Sequence, residues 1–182
     1  MGLAIFALGA AAFAWFSDSG EATVTLNAGD ADLRFRVDID CDGYTSDTFD
    51  TGYFQADSSP FAFNWNDVVP GDTTADCILV ENHGDGELTV YALNSGFVNP
   101  DGLLGHTLWQ YNALGTGGIN CPYSTPNAAQ YTSGRGCELD TIDEGESFIL
   151  RVDAEFVDNG SNQNALQGAS FSFTSTLTGY TG

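Results

Sequence analysis

From Leu33 onward the chain alternates apolar and polar residues in one short stretch after another. In ADLRFRVD, Leu33, Phe35 and Val37 share one face while Asp32, Arg34, Arg36 and Asp38 take the other. FAFNWN alternates Phe61, Phe63 and Trp65 with small or polar residues, and ELTVYALN aligns Leu88, Val90 and Ala92. SFILRVDAEFV sets Phe148, Leu150, Val152, Ala154 and Phe156 against Ile149, Arg151, Asp153, Glu155 and Val157. SFSFTSTLT closes the chain with Phe171, Phe173 and Leu177. Successive side chains of a strand point to opposite faces, so each stretch predicts a half-buried strand. ADCILVE is a nearly continuous apolar run and predicts a strand covered on both faces. Beyond residue 20 no stretch carries the 3.6-residue apolar stripe of an amphipathic helix.

Between these runs lie turn sequences: NAGD, VPGD, NHGDGE, NPDG, GTGG, SGRG and DNGSN. Many short strands joined by Gly- and Asn-rich turns predict an all-β fold, a jelly-roll-like β-sandwich with an apolar N-terminal extension. The division expected is an apolar segment at 1–20 and one sandwich domain at 21–182. A loop-rich insertion, dense in Gly, Asn, Pro and Tyr, is expected at about 95–140. There is no internal repeat and no linker dividing the domain.

Charge narrows the function. The chain has 25 acidic residues against four basic ones, all arginine, for a formal net charge of −21. Such a surface repels phosphate backbones and anionic membranes, which argues against nucleic-acid binding. A hydrophobic content of 42% and an aromatic content of 13% set the chain apart from acidic disordered sequences. An acidic, lysine-free surface fits a salty habitat, where screening relieves self-repulsion.

Cys41, Cys77, Cys121 and Cys137 form no C-x-x-C pair, and His83 and His106 are the only histidines. A zinc site is therefore poorly supplied, and disulfides are expected, with a location outside the cytoplasm. CPYSTPNAAQYTSGRGC reads as a loop in need of a staple, which favours Cys121–Cys137 and leaves Cys41–Cys77 by elimination. Closing a loop of that size contributes roughly 3 kcal/mol in the chain-entropy model.

No G-x-S-x-G, H-E-x-x-H or P-loop pattern occurs, and no carboxylate pair stands out, so the chain is expected not to be an enzyme. The most pointed chemistry is DIDCDGYTSDTFD. Asp38, Asp40 and Asp42 followed by Gly43 can curl three carboxylates around a hard cation, with the Tyr44 carbonyl and Ser46, Asp47 or Asp50 adding oxygens. Position twelve of the loop is Phe49 instead of a bidentate Glu. Read as chemistry the loop is a Ca²⁺ site; read as composition it is an acidic turn in an acidic protein. Asn159-Gly160-Ser161 is an N-glycosylation sequon or an ordinary Asn-Gly turn.

Three stretches carry a resemblance. AFAWFSDSG followed by LNAGDADL places Phe16-Ser17-Asp18, Ala28-Gly29 and Asp32-Leu33 in order; VVPGDTTADCILVENHGDGEL carries Pro70-Gly71-Asp72 with Asn82 and Gly84; NALQGASFSFTSTLTGYTG carries Gln167, Gly168, Phe171 and Phe173. Together they resemble the TasA/camelysin family of secreted fibre-forming proteins, which includes biofilm-matrix subunits and archaeal bundling pili. The middle of the chain is unmatched, none of the four cysteines is among the matched positions, and Ala31 replaces a usual leucine. The resemblance implies a jelly-roll sandwich that polymerises with copies of itself by donor-strand complementation, giving an extracellular filament open to lateral bundling or surface adhesion. The metalloprotease activity described for camelysin is not expected in a chain without H-E-x-x-H. The alternative is a monomeric secreted carbohydrate-binding or adhesion module, with Trp109, Tyr111, Tyr123 and Tyr131 stacking on sugars.

The opening MGLAIFALGAAAFAWFSDSG is short for a membrane span. It has the apolar core of a secretory signal, but no Lys or Arg precedes that core. The family resemblance implies a cut between Ala14 and Trp15. The reading favoured is retention as an assembly element, with no stable membrane span in the mature form. As a donated strand, Leu3, Ile5, Ala7, Gly9, Ala11, Phe13 and Trp15, followed by Phe16, would fill a neighbour's groove. The opposite face, Ala4, Phe6, Leu8 and Ala10, is equally apolar, which demands burial on both sides. A short packed helix is the other conformation open to it.

Overall fold

The computed structural model describes residues 19–25, 32–38, 41, 54–55, 60–66, 69–99, 102–114, 118, 120–121, 133–161, 163–166, 169 and 171–181. Its strands are β1 (Ser19–Thr25), β2 (Leu33–Asp38), β3 (Phe54–Gln55), β4 (Pro60–Asn66), β5 (Thr73–Asn82) and β6 (Leu88–Val98), then β7 (Thr107–Leu114), β8 (Asn120–Cys121), β9 (Cys137–Ile142), β10 (Ser147–Phe156) and β11 (Phe171–Thr181). One sheet runs β4-β1-β11-β6-β9 and the other β3-β2-β5-β10-β7-β8. Among the described pairs all are antiparallel except β1 with β11, which run parallel.

Alternation builds the core. Leu33, Phe35 and Val37 of β2 are buried, as are Phe148, Leu150, Val152 and Ala154 of β10. They meet Val90, Ala92, Leu139, Phe173 and Leu177 from the facing sheet in one cluster. Fully burying each large apolar side chain contributes about 1.5–3 kcal/mol. β5 lies between β2 and β10 with Ile78 and Val80 fully buried. On its other face Cys77 is 1% exposed, covered where it is bonded to Cys41.

The stretch at about 95–140 is not loop throughout. It supplies β7, which pairs with β10 along its length, and β9, which edges the first sheet. Thr107, Trp109, Tyr111 and Ala113 of β7 all point inward. Tyr111 carries a polar atom into this core and has a partner for it. Its hydroxyl donates to Asn94 Oδ1 at 2.8 Å and lies 3.2 Å from Ser175 Oγ, bridging the two sheets.

Disulfides join Cys121 to Cys137 and Cys41 to Cys77. The first links β8 to β9, the edge strands of the two sheets, and so closes one side of the sandwich covalently. The second fastens Cys41, shortly after the end of β2, to the middle of β5.

Two turn motifs singled out in the sequence have structural explanations. Val69-Pro70-Gly71-Asp72 is a turn closed by the Asp72 N–H on the Val69 carbonyl at 2.9 Å, and Gly71 has φ +96°. Proline presets the first central residue and glycine supplies the positive φ of the second, as a type II turn requires. Asn82 is fully buried, and its side chain organises the turn after β5. Nδ2 donates to the carbonyls of Gly86 and Ile142 at 2.7 and 3.2 Å, and Oδ1 accepts the Gly84 N–H at 2.9 Å. Its own N–H donates to the Glu146 carbonyl at 3.0 Å, while its carbonyl accepts the Gly145 N–H at 2.8 Å. One residue thereby clamps the β5–β6 turn to the β9–β10 turn at one end of the sandwich.

Candidate assembly site

The N-terminal strand holds an unusual place. β1 is the first of the described strands, yet it lies inside its sheet with β4 on one side and β11 on the other. Toward β4 it pairs from Ser19↔Asn66 to Thr25↔Pro60. Toward β11 it pairs in parallel from Ala22↔Phe171 to Thr25↔Thr174, so Ser19, Gly20 and Glu21 reach past the described β11 pairing. The apolar segment Leu3–Phe16 leads directly into this strand. Both backbone edges of β1 are committed, and its removal would leave two facing rows of unpaired N–H and C=O groups.

Sequence reasoning missed β1 as a strand. The signal was present in EATVT, where Ala22 and Val24 alternate with Glu21, Thr23 and Thr25. It was overshadowed by the stronger apolar run before it. The expected assembly residues Leu3, Ile5, Ala7, Gly9, Ala11, Phe13, Trp15 and Phe16 lie outside the described residues.

Most of the loop expected to bind Ca²⁺ also lies outside them: Asp40, Asp42, Tyr44, Asp47 and Asp50. Asp38 ends β2, opposite Cys77 of β5. Cys41, with φ +60°, is fixed to that same Cys77 by its disulfide. The start of the loop is thus tethered to a central strand. Among the described residues no three His, Cys, Asp or Glu side chains gather closely enough to hold a metal.

The two histidines stand at opposite ends of the sandwich. His83 follows the Asn82 clamp, with Nε2 2.9 Å from Glu81 Oε1. His106 closes a 3₁₀ turn at Leu103–His106, just before β7, and its carbonyl accepts the Val157 N–H at 2.8 Å. Asn159 is exposed in the turn after β10.

Trp109 and Tyr111 do not form a sugar-stacking surface. They are 6% and 2% exposed, because the β7 alternation turns both into the core, and Trp109 packs edge-on against Phe173 at 5.1 Å. Tyr123 and Tyr131 lie outside the described residues. Among the described residues a different aromatic group reaches the surface. Tyr91 of β6 and Tyr180 of β11 meet edge to face at 5.6 Å, and the Arg135 guanidinium lies 4.4 Å from the Tyr180 ring centroid. The Tyr91 hydroxyl donates to Glu138 Oε2 at 3.0 Å. One of four basic residues is therefore held over a tyrosine face, a cation–π contact. Another, Arg151, is paired with Asp153 at 2.8 Å, and that carboxylate also accepts from Asn112 Nδ2 at 2.6 Å.

No helix among the described residues is long and apolar enough to cross a membrane. No protein-family model, curated protein or solved structure matches this chain.

Proposed function

We propose that this protein is a non-enzymatic structural subunit of an extracellular filament, polymerising by exchange of its N-terminal strand between copies. The observation that carries the reading is the position of β1 between β4 and β11, directly after the apolar segment.

Strand order supports a jelly-roll origin for the rest. Without β1, β2 and β3, the orders become β4-β11-β6-β9 and β5-β10-β7-β8, the arrangement of an eight-stranded jelly roll. β4 and β11 would then be antiparallel neighbours, since β1 runs antiparallel to one and parallel to the other. β1 is an added strand wedged between the first and last strands of that roll. An added strand can be supplied by the chain's own N-terminus or by a neighbour's.

The physics of exchange follows. Withdrawing β1 opens a slot about two strand spacings wide, roughly 9–10 Å. The same strand from a second copy satisfies the slot by β-augmentation. The contact joins one end of a subunit to a different surface of the next. Such heterologous contacts do not close on themselves, and they generate filaments. The apolar run ahead of β1 would be buried along the joint. Ca²⁺ held by the Asp38–Asp50 loop would stabilise the subunit beside β5. Two disulfides fit a secreted location.

Electron microscopy and sedimentation of the secreted protein test the reading. Filaments support it. A monodisperse species at one subunit mass, with the N-terminus intact, overturns it.

A further inference from the structure

We propose that Asn159 is an N-glycosylation acceptor, modified with an oligosaccharide delivered from a polyprenyl-phosphate carrier. Asn159-Gly160-Ser161 is the one Asn-X-Ser/Thr triplet in the sequence, with X other than proline. It falls in a surface turn, outside every strand, and Asp158, Asn159, Gly160 and Ser161 are all exposed. A transferase can reach it without breaking a sheet ladder.

The side chain is oriented by its own turn. Asn159 Oδ1 accepts the Ser161 N–H at 2.9 Å and lies 2.5 Å from Ser161 Oγ, which donates to it. Asn159 Nδ2, the atom that would carry the sugar, has no partner among the described residues. Gly160 has φ +69°, and a Cβ there would meet nothing within 4 Å among the described residues. Beneath it the turn is anchored. Gln163, 9% exposed, accepts the Asn159 N–H through Oε1 at 3.3 Å and donates through Nε2 to the Val157 carbonyl at 3.0 Å. The acceptor is therefore presented on a fixed base.

In the reaction Asn159 Nδ2 bonds to C1 of the carrier-linked sugar. The C1–O bond to the carrier phosphate breaks, the polyprenyl phosphate or pyrophosphate leaves, and an amide proton passes to the transferase. The turn sits where β10 ends, which is also the end at which the chain enters β1, because β11 begins there and β1 runs parallel to it.

The test uses protein secreted by its own cells. Cleavage after Glu155 releases a C-terminal peptide containing Asn159, whose mass is read directly. The expected result is a glycan increment that is lost in Asn159→Gln and Ser161→Ala and kept in Ser161→Thr. The two loss variants change the acceptor and the hydroxyl separately, and intact disulfides in each variant show that it has folded. An unmodified peptide from the native protein overturns the proposal. An increment that survives Asn159→Gln also overturns it, since the sugar would then sit on a Ser or Thr.

Discussion

The side-chain amide of Asn82 donates to the carbonyl of Ile142, sixty residues further along the chain, across the junction of two turns. The β5–β6 turn does not hold its shape by backbone bonds alone, because Gly84 and Gly86 both bond to that same side chain. Asn82→Ala leaves buried donors and acceptors without partners, each costing about 1–3 kcal/mol. The expected outcome is a loss of about 3 kcal/mol, read as a melting temperature lowered by roughly 6–12 °C. Asn82→Asp should also destabilise, since it keeps the acceptor for Gly84 but removes both donated bonds.

Cys121–Cys137 is the covalent tie between the two sheets at one edge. The paired substitution Cys121→Ser/Cys137→Ser is expected to lower stability by about 2–4 kcal/mol. Urea unfolding followed by tryptophan fluorescence checks this, with Trp109 in the core as one reporter. Adding reductant to the variant should then have an effect only through Cys41–Cys77.

Gly136 has φ +86°, and a Cβ there would fall on the Ala92 carbonyl oxygen of β6. No rotation of a side chain relieves a clash with backbone. Gly136→Ala is expected to cost more than about 2 kcal/mol, through a shifted β9 pairing as well as the strained φ. A thermal melt measures the loss, and faster amide exchange over Cys137–Ile142 would locate it.

Ca²⁺ held by the Asp38–Asp50 loop would tie the stability of the fold to the metal. Excess Ca²⁺ should raise the melting temperature and EGTA should lower it, by mass action on the folded state. Asp40→Asn with Asp42→Asn should abolish the difference between the two conditions. Equal melting temperatures for the native protein in Ca²⁺ and EGTA would contradict the site.

β2 and β10 were legible because only one face of each is apolar: Leu33, Phe35 and Val37 stand against Arg34 and Arg36, and Leu150 and Val152 against Arg151 and Asp153. β7 was hidden for the opposite reason. Leu108 and Leu114 on its outer face blur the alternation of Trp109, Tyr111 and Ala113, and the Gly-rich flanks read as loop. β9 was obscured by an irregularity of register between Val90 and Tyr91, where Leu139 and Asp140 are both buried in succession. The sandwich class could be read from period-two patterning. The insertion of β1 between β4 and β11 could not, because long-range register is set by packing and leaves no local signature.

Sharing of β1 between copies can be read from its register on β4. Thr23 of β1 lies opposite Ala62 of β4. Thr23→Cys and Ala62→Cys are made in separate chains, the two proteins are assembled together, and the products are oxidised and run without reductant. Strand exchange predicts covalent dimers from the mixture, and a ladder of higher multimers from a chain carrying both cysteines. Monomers alone from the mixture, with an internal bond in the doubly substituted chain, would show that β1 stays in its own sandwich and would contradict the account.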